Sequence, residues 1–116
     1  MATRGTISFS NKFGKLGFVY IHHDMYPSGF SEYLKELKRK NVVGRNLMTQ
    51  LLRGIEGAEV TTSHEIHGDT EFRYDIEEEE ISIIQRFWEY DEETDEETNY
   101  FSKIATMPLE EFLKKY

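Results

Sequence analysis

The chain has no cysteine. That excludes disulfide bridges, thiolate zinc sites, iron–sulfur ligation and a cysteine nucleophile. It has only two prolines, Pro27 and Pro108, so nearly every residue keeps a backbone donor for a helix or a sheet. No apolar run approaches the roughly 18 residues that a spanning helix needs. The opening Met1-Ala2-Thr3-Arg4-Gly5-Thr6 lacks the apolar core of a secretory signal. The expectation is a cytoplasmic protein that makes no membrane contact. Positive charge is also scarce: 14 Lys and Arg stand against 22 Asp and Glu, a net charge of −8.

Aromatics are plentiful, with eight Phe, seven Tyr and one Trp among 116 residues. Disordered chains are poor in such residues, and this length can bury a core without staples. A single domain over residues 1–116 is expected. The charge is lopsided: residues 1–68 carry +3 and residues 69–116 carry −11. An anionic half repels phosphate and attracts a basic surface, so direct nucleic-acid binding is not expected.

Thr6–Ser10 and Leu16–His23 carry strand signals around the turn-like Asn11–Lys15, which predicts an N-terminal hairpin. Pro27 breaks the pattern. Phe30, Tyr33, Leu34 and Leu37 then follow helical spacing, with Ser28 or Ser31 as the expected cap. Leu47, Leu51 and Ile55 predict a second helix from about Gly44, ending at Gly54 or Gly57. Ala58–His67 is ambiguous. Phe72, Tyr74 and Ile76 alternate with charged residues, and Ile81, Ile83, Gln85 and Phe87 alternate again after four Glu. A hairpin closed by Glu77–Glu80 pairs Ile76 with Ile81, Tyr74 with Ile83 and Phe72 with Gln85, and sets Glu71 opposite Arg86 as a charge pair. Asp91–Asn99 reads as an acidic loop, Tyr100–Thr106 as a last strand, and Pro108 as the first residue of a terminal helix. The expected fold is α+β. An antiparallel sheet of five or six strands has two helices between its N-terminal hairpin and a C-terminal meander. The segments are 1–27 for hairpin and corner, 28–57 for the helices, 58–106 for the acidic meander and 107–116 for the terminal helix.

The stretch Tyr20–Gly29 concentrates polar chemistry at a strand-to-helix junction. Strand alternation sets Tyr20, His22 and Asp24 on one side, so Asp24 could orient the His22 imidazole beside the Tyr26 hydroxyl. One reading is a ligand-binding or hydrolytic site with His22 as base. The other is a rigid corner without chemistry, since no nucleophile is identifiable nearby. The opening Met1–Gly5 together with His22-x-Asp24-x-Tyr26-Pro27-x-Gly29 resembles a family of small uncharacterised proteins of phages, plasmids and diverse bacteria. The resemblance covers about the first 35 residues. Ile21 stands where many members have Asn, and His23 departs as well. The resemblance implies a mobile-element origin and supplies no mechanism.

His64 and His67, with His22 or Asp24, are the residues a metal site could use, but i,i+3 spacing converges only on a helix and this segment reads as irregular. No metal and no cofactor is expected. Asp91–Glu97 lacks the glycine and alternation of a calcium loop. The two acidic runs are Glu77, Glu78, Glu79, Glu80 and Asp91, Glu92, Glu93, Asp95, Glu96, Glu97. They are expected at opposite ends of the sheet, either as solvated loops or as a docking surface that mimics a nucleic-acid backbone. The leading expectation is a non-enzymatic phage-type protein that inhibits a host nucleic-acid-binding defence complex, such as a CRISPR or restriction complex, through a basic surface on that complex. The aromatic excess leaves room for a homodimer.

Overall fold

A computed structural model describes residues 3–116. Strand β1 (Gly5–Asn11) pairs with β2 (Gly14–Ile21) as the expected hairpin. Asn11 Oδ1 accepts the Phe13 N–H at 2.8 Å, and Gly14 takes a φ of 127° at the turn. The chain then forms α1 (Pro27–Arg39), α2 (Leu47–Gly54) and the short β3 (Glu59–Thr61). It returns as β4 (Phe72–Glu77), β5 (Glu80–Asp91) and β6 (Glu96–Pro108), and closes with α3 (Leu109–Lys115).

The six strands form one sheet in the order β3-β2-β1-β4-β5-β6. The fold is α+β, and the sheet is mixed: β4 runs parallel to β1, with Ile7 against Tyr74 and Phe9 against Ile76. The parallel pair follows from the path of the chain. Both helices lie between β2 and β4, and such an excursion can bring a strand back in either direction. The β4–β5 hairpin has the register read from its alternation: Ile76 with Ile81, Tyr74 with Ile83, Phe72 with Gln85.

Alternation divides the sheet into two faces. Ile7, Phe9, Val19, Ile21, Tyr74, Ile76, Ile81 and Ile83 point to the helices and are buried against Phe30, Leu34, Leu37, Leu51 and Phe112. Full burial of one such side chain contributes roughly 1.5–3 kcal/mol. The other face carries Thr6, Ser8, Tyr20, Asp75 and Arg86. Because β3 and β4 lie three strand spacings apart, the segment 62–71 must cross beneath β2 and β1 to join them. It covers the inner half of this face.

Several local expectations are corrected. The cap of α1 is Tyr26 with Pro27 at the first turn, and neither Ser28 nor Ser31 caps it. Helix α2 begins later than Gly44. Asn46 caps it, its Oδ1 accepting the Thr49 N–H at 2.9 Å. The expected acidic loop Asp91–Asn99 is only a turn over Glu92–Asp95, because both flanking strands extend into it. Arg86 lies opposite Glu71 and donates its backbone N–H to the Glu71 carbonyl at 3.0 Å. Its guanidinium turns elsewhere, so the expected charge pair is absent.

The corner before α1 is held by backbone carbonyls. Tyr74 donates its hydroxyl to the Met25 carbonyl at 2.5 Å, and Tyr33 donates to the His23 carbonyl at 2.9 Å. Asp24 sits at φ 58°, which swings the chain into the helix. A Cβ on Gly29 would stand 1.9 Å from the Asp24 carbonyl oxygen. Only glycine fits there, so Gly29→Ala is expected to destabilise the fold by about 2 kcal/mol or more. Chemical denaturation checks this, and a stability equal to the parent's would refute the account of the corner.

Candidate functional site

Three regions compete, and the structure separates them. The first is the His22–Asp24–Tyr26 corner. Strand β2 ends at Ile21, and the left-handed Asp24 breaks the alternation before that side chain can join His22. His22 Nε2 lies 3.2 Å from Glu59 Oε1 on β3. Asp24 and Tyr26 line a shallow groove with Glu32, Tyr33 and Tyr116. The three candidate residues are therefore not brought together as a base with its orienting carboxylate.

The second region lies under the 62–71 segment. His64 Nδ1 meets Thr6 Oγ1 at 2.6 Å, and its Nε2 meets Asp75 Oδ1 at 2.9 Å. Ser8 donates to the same Asp75 oxygen at 2.5 Å. A hydroxyl, an imidazole and a carboxylate in line have the composition of a nucleophile set. Thr6 and Ser8 are both buried, however, so no substrate carbonyl reaches either hydroxyl. The chemistry here is a latch. His67 extends it: its ring lies 3.8 Å from that of Tyr20, and its Nε2 lies 2.6 Å from Thr61 Oγ1. Tyr20 donates to both carboxylate oxygens of Asp69 at 2.8 and 2.9 Å, and Arg4 Nε closes on Asp69 at 3.3 Å. Burial and then the Asp69 hydrogen bond push the Tyr20 phenol up to about 12. Among the described residues no group of three or more His, Asp or Glu side chains is placed to hold a metal ion.

The third region is the far half of β5 and β6. Strand β4 accompanies β5 only as far as Gln85, opposite Phe72. Beyond it, Arg86–Asp91 and Glu96–Phe101 run on as a two-stranded ribbon, and the molecule stretches to 54 × 28 × 28 Å. Residues 86–101 carry seven carboxylates and one Arg. Directly opposite pairs include Asp91 with Glu96 at the ribbon tip and Glu77 with Glu80 at the other hairpin end. All ten carboxylates of the two runs are exposed. None forms an ion pair with a described residue. Glu78 accepts the Lys12 N–H at 2.8 Å, and Asp91 accepts the Glu93 N–H at 2.9 Å. Tyr90 donates its hydroxyl to Asp95, which raises the phenol's pKa.

The ribbon's open face holds a feature that composition hides. The Arg73 guanidinium lies 3.6 Å from the Phe101 ring centre, and that of Arg86 lies 4.5 Å from Phe101 and 5.6 Å from Trp88. Arg86 spends its donors on neutral oxygens: Thr70 O at 2.9 Å, Gly68 O at 2.7 Å and Asn99 Oδ1 at 2.5 Å. It ties the 62–71 segment to the root of the ribbon. Trp88 and Tyr90 remain 55% and 59% exposed. The sequence signal for this face is the i,i+2 series Arg86, Trp88, Tyr90 opposite Phe101, visible once β5 is known to continue to Asp91.

An apolar groove of about 410 Å³ lies between the helices, lined by Leu34, Leu37, Leu47, Leu109 and Leu113. Comparison with protein-family models, with curated proteins and with solved structures finds no match to this chain. No helix among the described residues is long and apolar enough to cross a membrane.

The latch has a pH signature. Hydrogen bonds from His64 and Ser8 hold the Asp75 carboxyl below its usual value, the His64 bond foremost, against an opposing effect of burial. A carboxyl lowered in the folded state stabilises the fold above its unfolded pKa of about 3.9 and loses that contribution as pH falls through the folded value. Asp75→Asn is expected to cost about 1–2 kcal/mol at pH 7, and a much smaller cost is expected well below pH 4. Urea midpoints across that range measure the difference. A pH-independent deficit would refute the ionic latch.

Proposed function

We propose that the protein is a non-enzymatic, mobile-element-type domain that acts in the host cytoplasm. It docks through its acidic hairpin ends onto the basic surface of a nucleic-acid-binding protein and excludes the nucleic acid. A CRISPR or restriction complex is the concrete target class. The supporting observation is the arrangement of charge. Ten exposed carboxylates stand without an ion-pair partner among the described residues, at the two ends of one long strand. From Glu80 to Asp91 that strand spans about 36 Å at roughly 3.3 Å per residue. One turn of duplex DNA repeats over about 34–36 Å, so a surface shaped for successive turns would meet carboxylates at a matching interval.

A second support is that the charge is held at a cost. Like charges directly opposite on a strand pair are destabilising, and Asp91–Glu96 and Glu77–Glu80 are such pairs. Glu78 and Asp95 also occupy φ of 54° and 56°, where glycine is less strained. A cationic partner relieves both acidic ends.

Glu96→Lys tests the reading, because it turns the Asp91–Glu96 repulsion into attraction. Thermal unfolding is expected to show a gain of about 0.5 kcal/mol. Capture of the partner from host lysate is expected to weaken and to fall steeply with salt. The captured protein is expected to be released by duplex nucleic acid. Capture that is indifferent to salt and to the reversed charge would sink the proposal.

A further inference from the structure

The acidic ribbon alone does not say which cation it prefers, but its open face does. Resting on the docking reading above, we infer that Trp88 and Tyr90 receive arginine side chains of the partner, each guanidinium stacking on a ring and pairing with a neighbouring carboxylate. The molecule already makes the stacking half of this contact with itself. Arg73, Phe101, Arg86 and Trp88 form a continuous series of guanidinium–ring contacts at 3.6, 4.5 and 5.6 Å. The series stops at Trp88, which is 55% exposed, and the next ring on the same face, Tyr90, is 59% exposed with no cation over it among the described residues. Two rings therefore extend the ladder with solvent where a guanidinium fits.

Charge decides what can fill the place. Exposed rings on a sheet face can also stack nucleobases. Here the bases' phosphates would meet the seven carboxylates of residues 86–101. Glu97 stands directly opposite Tyr90, and the diagonal step from it to Trp88 is about 7–8 Å, within reach of one planar guanidinium lying on either ring. Asp95 accepts the Tyr90 hydroxyl, which holds the second ring toward the tip. Guanidinium is favoured over ammonium because it is planar, weakly hydrated and able to stack while donating to a carboxylate. The partner segment is accordingly rich in arginine rather than in basic residues of either kind.

Trp88 is the sole tryptophan, so its emission reports the contact directly. The full chain is titrated with a peptide of alternating Arg and Gly, with a Lys–Gly peptide of equal length and charge, and with single-stranded oligothymidine. The Arg peptide is expected to change Trp88 emission and to bind roughly two- to fivefold tighter than the Lys peptide per ring engaged. Calorimetry on Trp88→Leu is expected to lower that ratio by one ring's share, and on the double variant Trp88→Leu/Tyr90→Leu to bring it to about one, while salt-sensitive binding to both peptides persists. Glu97→Gln is expected to weaken both peptides. The wild-type comparison does not depend on the variants folding. Equal affinities with unchanged emission would overturn the arginine reading and leave the acidic arm standing. Absence of salt-sensitive binding to either peptide would overturn both. Binding of the oligothymidine in their place, or an emission that shifts with protein concentration alone, would assign the rings to nucleic acid or to a second copy of the chain.

Discussion

The hydroxyl of Tyr74, bonded to the Met25 carbonyl in the interior, is the contact on which the rest of the fold is arranged. Its ring lies 4.5 Å from Phe30 on α1 and 6.3 Å from Phe112 on α3, so one side chain of β4 touches the corner and two helices. Burial holds the phenol firmly protonated, which suits a group that must donate. A buried carbonyl without a donor is costly, and Met25 lies in a stretch too irregular to satisfy itself. The hydroxyl answers that need and fixes where α1 leaves the sheet. Pro27 and Gly29 then set the helix start, one by restricting φ and the other by leaving room for the Asp24 carbonyl. The densest motif in the sequence is thus accounted for by packing and backbone hydrogen bonding.

With the helices fixed on one face, the other face is closed by a different device. The 62–71 segment lacks a run of apolar residues and is held by polar contacts: His64 to Thr6 and Asp75, Asp69 to Tyr20, Arg86 to the carbonyls of Gly68 and Thr70. Such contacts are individually modest. Their number makes the crossing segment a strap across β1 and β2. It ends where β4 begins, and the ribbon continues past that point without support on that side. A two-stranded ribbon is marginal by itself. Arg86, bonded to Asn99 across the ribbon and to the strap beneath it, anchors its root.

Legibility divides along the same line. The α+β class, the two-helix insertion and the β4–β5 register could be read because alternation at Phe72–Ile76 and Ile81–Gln85 is strict and a one-residue slip would reverse both faces. The parallel β1–β4 pair could not be read, since periodicity carries no information on which edge a returning strand takes. The ribbon tip carries no strand signal, because Asp91–Glu97 has no apolar residue and hydrophobic alternation is the usual sign of a strand. Those strands are formed by continuing the β5–β6 ladder, with Phe87 stacked on Tyr100 at 5.7 Å, rather than by burial. Strand alternation places His22 and Asp24 together only if β2 runs three residues beyond its end at Ile21. Asp24 at φ 58° is what ends it, and nothing in the residue types distinguishes that from a continuing strand.

The balance of cost and benefit in the ribbon gives a reason for its composition. A small domain gains solubility from carboxylates placed anywhere on its surface. These are placed where they oppose each other across a strand pair, on an extension that buries little and so has little stability to lose. Solubility alone does not favour that placement. Alongside them stand Trp88 and Tyr90, whose exposed rings work against solubility. Repulsion and exposed aromatic area are both penalties in the free molecule, and both are removed by one kind of partner: a flat cation that stacks as it pairs. Two unfavourable features sharing one remedy favour an arm shaped by binding over an accident of composition.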